Sequence, residues 1–261
     1  MPENRRGVLV EPATGYRLAR HAVAPDLAAH VDTHWEVEWD LPAGAPHVQG
    51  VLPYPCANVA AGPDGVLVHG PITRREDRVL AGRGHARGTR LRAGSLAGWA
   101  AATGLEAWQL TDRRLTLAEV FGPDGAALAA DLPTMTAPEH RAAVEAFLRA
   151  RLPAPDPQAE LAAAVVDALL AEPAVTRVAE IADRFALSPR ALQRLFRRHV
   201  GLTPKQVLQR SRLHEAVERV AAGDQDRAGL ALDLGYADQA HFTNAFRAGV
   251  GRPPGRYGRT P

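Results

Sequence analysis

The chain has 261 residues, of which 46% are hydrophobic and 23% charged, a balance typical of a globular protein rather than a disordered one. This length exceeds that of a typical domain with a single hydrophobic core and fits two domains of ordinary size. The sequence has no run of 18 apolar residues and no apolar segment of the signal-peptide type, so we expect a cytoplasmic protein that spans no membrane. The one cysteine, Cys56, excludes an internal disulfide and a multi-cysteine zinc site.

The net charge of +2 combines two unlike parts of the chain. Residues 1–175 contain 16 basic and 21 acidic side chains, whereas residues 176–261 contain 15 basic and 8 acidic ones. A basic segment that follows an acidic one suggests a nucleic-acid-binding module at the C-terminal end.

A proline-rich segment, residues 152–157, divides the chain. Three prolines in six residues cannot continue a helix or a central strand. Glycine and proline turns are frequent before this segment, and the pattern after it is helical. We therefore expect an N-terminal sensor or regulatory domain over residues 1–151, a linker over 152–157, and a C-terminal domain over 158–261.

The N-terminal part predicts an α+β domain that is rich in strands and contains short helices. Strands are predicted at residues 34–39, where apolar and polar side chains alternate, at 66–69 after a Gly-Pro-Asp-Gly turn, and at 89–92. Short helices are predicted around residues 95–102, 115–121 and 139–151.

The C-terminal part predicts a series of helices. Residues 158–171 form an apolar helix, and Thr176 is expected to cap the next one. Ser188–Pro189 and Thr203–Pro204 each predict a helix start, because the hydroxyl accepts from a free backbone N–H and proline lacks the donor that would be unpaired there. The second of these helices is long and ends at Gly223.

The C-terminal segment contains an internal repeat. At an offset of 49 residues, Ala182 matches Ala231 and Ala186 matches Gly235. Beyond the turn the offset becomes 50, where the matched pairs are Leu192 with Phe242, Phe196 with Phe246, Gly201 with Gly251, and Pro204 with Pro254. The step predicts one extra residue in the second turn. Each copy has the pattern of a helix-turn-helix motif, so we expect an all-α domain with two such motifs joined by one long helix.

Residues 176–258 resemble the double helix-turn-helix DNA-binding domain of the arabinose-regulator (AraC) family. The resemblance is carried, in chain order, by Ser188–Arg197, Gly201–Pro204, Arg212, Leu213, Ala216, Gly235–Phe242, Phe246, Arg247, Gly251–Pro254 and Tyr257. It implies a transcription regulator that binds double-stranded promoter DNA and acts with RNA polymerase. From the residues we expect neither a cofactor nor a metal. Because two reading helices in one chain can reach successive major grooves, the binding form is either a monomer or a homodimer.

The resemblance assigns base reading in the first motif to Arg190, Gln193 and Arg194. The chemistry agrees, because arginine can bind guanine and glutamine can bind adenine through paired hydrogen bonds. The corresponding face of the second motif carries Gln239, Ala240, Thr243 and Asn244. The family often has arginine at the last of these positions, so the first motif is expected to dominate specificity. Phosphate contacts are expected from Ser188, Arg197, Arg198, Arg247, Arg252 and Arg256.

The N-terminal part resembles the corresponding domain of a poorly characterised subset of the same family. The resemblance is carried by Val31–Trp35, Val51–Cys56 and Gly88–Gly94, although that subset usually has Asp-Gly where this chain has Tyr54–Pro55. It implies no particular effector. Candidates for lining an apolar effector pocket, with core packing as the alternative, are Trp35, Trp39, Trp99 and Trp108.

Alternative functions have weaker support in the sequence. A DNA-repair alkyl-transfer protein with the same type of DNA-binding domain uses a cysteine-rich zinc site, which a chain with one cysteine cannot build. A hydrolase would need a motif such as G-x-S-x-G or H-E-x-x-H, and neither is present. His30 and His34 have helical spacing but no clear third metal ligand, and Cys56 is expected to be a buried structural thiol. We therefore expect a regulator and not an enzyme.

Overall fold

A computed structural model describes residues 7–9, 15–100 and 103–257 of the chain. The N-terminal part is rich in strands and the C-terminal part is helical, which confirms the predicted fold class. The strands of the described residues are β1 (Tyr16–His21), β2 (Val31–Asp40), β3 (His47–Val51), β4 (Asn58–Gly62), β5 (Gly65–His69), β6 (Glu76–Leu80), β7 (Arg83–Leu91) and β8 (Arg114–Thr116).

In chain order, one α-helix lies between β7 and β8, and the other α-helices of the described residues follow β8. The α-helices are α1 (Ser95–Ala100), α2 (Leu117–Phe121), α3 (Pro123–Asp131), α4 (Ala137–Arg149), α5 (Pro157–Ala171), α6 (Val178–Arg184), α7 (Pro189–His199), α8 (Pro204–Ala221), α9 (Arg227–Asp233) and α10 (Gln239–Val250). A short 3-10 helix, Ala107–Leu110, lies between α1 and β8. Within the described ranges, no helix is long and apolar enough to cross a membrane.

Six strands form one antiparallel sheet in the order β1-β2-β7-β4-β5-β8, and β3 pairs with β6 as a separate antiparallel ribbon. The predicted strands correspond to β2, β5 and the end of β7, and the three helices predicted in this part correspond to α1, α2 and α4. Residues 101–102 of the first predicted helix lie outside the described residues. The sequence patterns did not predict α3 or the other five strands.

The two faces of the six-stranded sheet have different neighbours, because successive side chains of a strand point to opposite sides. One face carries Val59, Val68 and Leu91, which are buried together with Trp99 of α1 and Val144 of α4. The other face lies opposite the β3–β6 ribbon, and a cavity lies between them. The sheet therefore separates the main core of this part from a space that can hold a small molecule.

The C-terminal helices form two helix-turn-helix motifs, α6–α7 and α9–α10, which α8 joins. Each turn contains a residue in the left-handed conformation, Ala186 with φ 52° and Gly235 with φ 67°. These two residues are 49 positions apart, whereas the side chains that cap α7 and α10, Ser188 and Asp238, are 50 apart. The extra residue therefore lies in the second turn, as the repeat predicts.

The helix starts agree with prediction at two positions and differ at a third. Ser188 and Thr203 each accept a hydrogen bond from the backbone N–H three residues on, at 3.2 Å. The helix α6 begins later than expected, with Arg177 in the capping position and no capping side chain. Thr176 instead donates its backbone N–H to Glu180 Oε2 at 3.3 Å, so the prediction that its hydroxyl caps α6 is wrong.

The proline-rich segment lies between α4 and α5, and residues 152–156 of it have no regular secondary structure. The parts of the chain on either side are in close contact. Leu9 and Leu52 belong to the same buried cluster as Leu213 and Phe246 of the helical part. Hydrophobic packing therefore crosses the segment at which the type of secondary structure changes.

Candidate DNA-binding surface and effector cavity

The second helix of the first motif, α7, has one apolar buried side and one polar exposed side. Leu192, Leu195 and Phe196 are buried in the core of the first motif, and Ser188 and Pro189 begin the helix. This packing leaves the opposite side in solvent, and the exposed residues there include the three predicted base readers Arg190, Gln193 and Arg194, together with Arg198. The helix thus presents a row of long donor side chains along a free face.

One predicted phosphate contact on α7 is engaged with the N-terminal part of the chain. The guanidinium of Arg197 lies 4.5 Å from the ring centroid of Trp108, on the 3-10 helix that precedes β8. The Trp108 indole is itself held by a hydrogen bond from Nε1 to Glu106 Oε2 at 2.7 Å. Nearby, the Thr111 hydroxyl donates to the carbonyl oxygen of Gly201 at 2.7 Å. The end of α7 is therefore packed against the 3-10 helix.

The second helix of the second motif, α10, has a less basic exposed face. Asp238 caps it by accepting from the backbone N–H of His241 at 2.7 Å, while Phe242 and Phe246 are fully buried beneath it. The four residues predicted to read bases line one shallow concave surface: Gln239, Ala240, Thr243 and Asn244. The remaining predicted phosphate contacts are exposed at its end and beyond it: Arg247, Arg252 and Arg256.

The connecting helix α8 packs against both motifs. Ser211 donates to the carbonyl oxygen of Leu169 in α5 at 2.6 Å, and the Arg212 guanidinium lies 4.2 Å from the ring centroid of Tyr236 in the second turn. Arg212 is only 8% exposed, and burial lowers the pKa of its guanidinium. These buried contacts indicate that α8 fixes the position of one motif relative to the other.

The cavity between the six-stranded sheet and the β3–β6 ribbon has a volume of about 510 Å³. Trp35 and Trp39 of β2 line it and lie directly opposite Gly88 and Gly84 of β7. A Cβ atom on either glycine would come within 2.4 Å of the facing indole. Because glycine has no side chain, the indole rings lie over the neighbouring strand, where they form part of the floor of the cavity.

The other two tryptophans do not belong to this cavity, which corrects the prediction of a four-tryptophan pocket. Trp99 is 5% exposed and packs in the core between the sheet and the helices. Trp108 is 42% exposed and contacts Arg197. Residue type indicated an apolar environment for all four side chains, but strand register and the position of the 3-10 helix separate them.

A row of polar side chains crosses the floor of the cavity. Arg90 of β7 lies directly opposite Asn58 of β4, Asn58 opposite His69 of β5, and His69 opposite Arg114 of β8. All four residues line the cavity. The sequence patterns did not point to this row, because its members come from four strands and are brought together only by the sheet register.

The cavity adjoins the connecting helix through Tyr54. The ring centroid of Tyr54 lies 4.1 Å from the Arg90 guanidinium and 4.6 Å from the ring centroid of His214 in α8. Beside it, Arg210 of α8 donates to the carbonyl oxygens of Pro53 at 3.0 Å and Thr73 at 2.8 Å. A continuous set of contacts therefore runs from the cavity to the helix that joins the two motifs.

The thiol of Cys56 and the imidazole of His34, candidates from the sequence for a reactive group and a metal ligand, are both buried in the core. Cys56 is buried, and burial raises the pKa of its thiol to about 12. His34 is hydrogen-bonded through Nδ1 to Thr89 at 2.8 Å and through Nε2 to Glu145 at 3.0 Å, whereas the ring of His30 packs against Trp99. No group of three or more metal-ligating side chains occurs within the part of the chain that the structure describes.

Comparison with known proteins identifies both parts of the chain at the level of domains. Residues 181–260 match the family model described as a helix-turn-helix domain, and residues 19–116 match one described as a domain of unknown function (DUF6597). The HTH-type transcriptional activator RhaS of Escherichia fergusonii is 43% identical over 74 residues, which cover 28% of this chain and 27% of that protein. RhaS of Pectobacterium carotovorum is 38% identical over 74 residues, 28% of this chain and 26% of that protein. The chain thus spans about a quarter of the length of these relatives.

Among solved structures, ToxT from Vibrio cholerae is similar with a TM-score of 0.39 and 11% identity, over 92% of this chain and 96% of that chain. The paired motifs and the helix between them define a double helix-turn-helix protein. Its C-terminal part matches the helix-turn-helix family model and the RhaS activators in the region where the sequence motifs predict such a domain.

Proposed function

We propose that the protein is a sequence-specific DNA-binding transcription regulator of the AraC family. The observation that carries this proposal is the pair of helix-turn-helix motifs, each with a buried apolar side and an exposed polar second helix, held by the shared helix α8. In this type of motif the second helix enters the major groove, and two such helices in one chain suit successive grooves of the duplex.

The roles of the exposed side chains follow from their chemistry and position. Arg190, Gln193 and Arg194 read base edges from α7, where arginine prefers guanine and glutamine prefers adenine. The free face of α10 carries shorter, uncharged or amide side chains and contributes less to specificity: Gln239, Ala240, Thr243 and Asn244. Contacts to phosphate come from Ser188, Arg197, Arg198, Arg247, Arg252 and Arg256, of which Arg197 is restrained by Trp108.

We further propose that the cavity of the N-terminal part binds a small-molecule effector. Its volume of about 510 Å³ lies within the range of small-molecule sites, and its wall combines apolar and aromatic side chains with a few polar ones. The contacts of Tyr54 with Arg90 and His214 provide a route by which occupancy changes the position of α8. An effector that prefers one position of α8 would shift the population toward it.

We infer that the remaining partners are those of a promoter-binding regulator in the cytoplasm, namely double-stranded DNA and RNA polymerase. A monomer has both reading helices, and a homodimer would double the length of the DNA site. A non-enzymatic role is supported by Cys56, because alkyl transfer to sulfur needs a thiolate and this thiol is buried with a pKa of about 12.

The experiment that tests the proposal is genome-wide mapping of bound DNA, followed by titration of a recovered site with variants. Arg194→Ala is expected to weaken binding by about 1–3 kcal/mol and to relax the preference at one base position. Arg83→Ala, which removes an exposed arginine from β7, is the matched control and is expected to leave affinity unchanged. An Arg194→Ala protein with unchanged affinity and unchanged base preference would contradict the proposal.

A further inference from the structure

His69 lines the cavity, and one of its ring nitrogens has no hydrogen-bond partner among the described residues. His69 is 9% exposed, and its Nδ1 atom makes no hydrogen bond with any described residue. Burial lowers the pKa of His69 to about 4, so the imidazole is uncharged at neutral pH. An unpaired polar atom at a buried position carries a desolvation cost that a ligand can remove by hydrogen bonding.

A second polar group lies directly opposite this histidine. Asn58 faces His69 across β4 and β5, and its Oδ1 accepts from the indole Nε1 of Trp35 at 3.1 Å. Because an indole N–H can only donate, this bond fixes the orientation of the amide and leaves its nitrogen as a donor. A single ligand oxygen can therefore accept from Asn58 and also contact the imidazole of His69, which lines the same cavity.

The guanidinium groups around the cavity are already engaged. Arg78 and Arg114 both pair with Glu76 at 2.9 Å, and Arg90 pairs with Asp32. The fourth, Arg20, also has interaction partners, and burial together with the neighbouring Arg90 lowers its pKa. A carboxylate ligand would have to displace Glu76 or Asp32 from an arginine, and burying a charge without a partner is costly.

The rest of the floor is apolar and suits a flat molecule. Trp35, Gly88, Ala60 and Leu67 form the next row of cross-strand neighbours beside the Asn58–His69 pair. The indole of Trp35 lies over Gly88, where a Cβ atom would come within 2.4 Å of it. Aromatic rings pack on such a surface by offset stacking or edge contacts.

We propose that the effector is an uncharged, flat, mostly apolar molecule that carries one polar oxygen, of the phenol class. The oxygen binds at the Asn58–His69 pair and the ring system packs on Trp35. This inference rests on the proposal that the cavity is an effector site, and it names the chemistry that the site selects.

The test is a binding titration of the full chain, in the absence of DNA, with matched pairs of probes of increasing size. The pairs are 4-ethylphenol with 4-ethylbenzoate, 2-naphthol with 2-naphthoate, and 4-phenylphenol with biphenyl-4-carboxylate. Calorimetry measures affinity, and quenching of tryptophan fluorescence reports ring contact with the indoles. We expect at least one phenol to bind, and to bind about 10-fold or more tightly than its carboxylate partner.

Variants locate the site. His69→Phe keeps a ring of similar size without nitrogen atoms and is expected to weaken phenol binding about 3- to 10-fold, whereas His69→Gln, which keeps a neutral polar group, restores much of the affinity. His85→Phe, at an exposed position of β7, is the control and should bind like the wild type.

The inference is overturned if no phenol binds, if the carboxylates bind as tightly as the phenols, or if His69→Phe leaves phenol affinity unchanged. The comparison of phenols with carboxylates uses only the wild-type protein, so it tests the inference even where a variant does not fold. Binding of genomic DNA sites without phenol binding would overturn this inference alone. Phenol binding without any DNA binding would instead overturn the proposed regulator.

Discussion

At the scale of single residues, the two turns of the repeat differ in a way that stability measurements can detect. Ala186 has φ 52° in the first turn, where the second turn has Gly235 with φ 67°. A non-glycine residue in this left-handed region costs about 1–2 kcal/mol of stability, which substitution by glycine removes. Part of this stabilisation is lost again, because glycine makes the unfolded chain more flexible. Ala186→Gly is therefore expected to raise the free energy of unfolding by up to about 1 kcal/mol, measured by urea denaturation.

The reverse substitution at the matched position is the control for this prediction. Gly235→Ala is expected to destabilise the protein by more than about 1 kcal/mol, because the new Cβ is both in the left-handed region and 2.3 Å from Cγ2 of Thr176. If Ala186→Gly lowered stability instead, the left-handed conformation at this turn would not be the main constraint on residue choice.

At the scale of elements, the 3-10 helix at Ala107–Leu110 restrains the reading helix α7. The contact of Arg197 with Trp108 restricts the positions from which its guanidinium can reach a phosphate. Trp108→Ala is therefore expected to strengthen DNA binding at low salt and to steepen the salt dependence by about one phosphate contact, a slope change near −0.9 in log affinity against log salt. Trp108→Phe keeps an aromatic face for the arginine and should behave nearly as the wild type.

A salt titration of DNA affinity with the three proteins decides this point. Identical salt slopes for the wild type and Trp108→Ala would mean that Arg197 already contacts phosphate in the complex, or never does. The cation–π pair would then be a structural contact without an effect on DNA binding.

Which elements were predictable from the sequence depended on how local their signals are. The strand β2 was predictable because Trp35, Val37 and Trp39 alternate with charged residues, and the starts of α7 and α8 because a hydroxyl precedes a proline. The strand β4 escaped prediction because its Ala-Ala-Gly end is weak strand sequence that the neighbouring strands stabilise. The short charged strand β6 has its pairing partner, β3, far along the chain.

The candidate sites show the same distinction. The exposed face of α7 follows from helical spacing within one segment, so Arg190 and Arg194 were predictable as surface residues. The cavity depends on register between strands, and the pairing of Asn58 with His69 has no local signal. For the same reason the four tryptophans, although similar in type, occupy three different environments.

At the scale of the whole molecule, the charge asymmetry, the repeat and the shared hydrophobic packing combine into one account. The basic C-terminal helices hold two reading surfaces, α8 fixes their relation, and α8 in turn contacts the N-terminal part through Arg210 and His214. Leu9 and Leu52 complete the core of the second motif. The N-terminal part therefore contacts both motifs directly, so that a conformational change in it can be transmitted to both reading surfaces.

The central claim is that this single chain reads DNA with two helices, α7 and α10. The most direct test is a hydroxyl-radical footprint of the wild type on a recovered genomic site, repeated with Arg194→Ala and Gln239→Ala. We predict two protected regions about one helical turn, 10–10.5 base pairs, apart, with Arg194→Ala weakening protection in one and Gln239→Ala in the other. A single protected region, or protection that neither variant changes, would contradict the account.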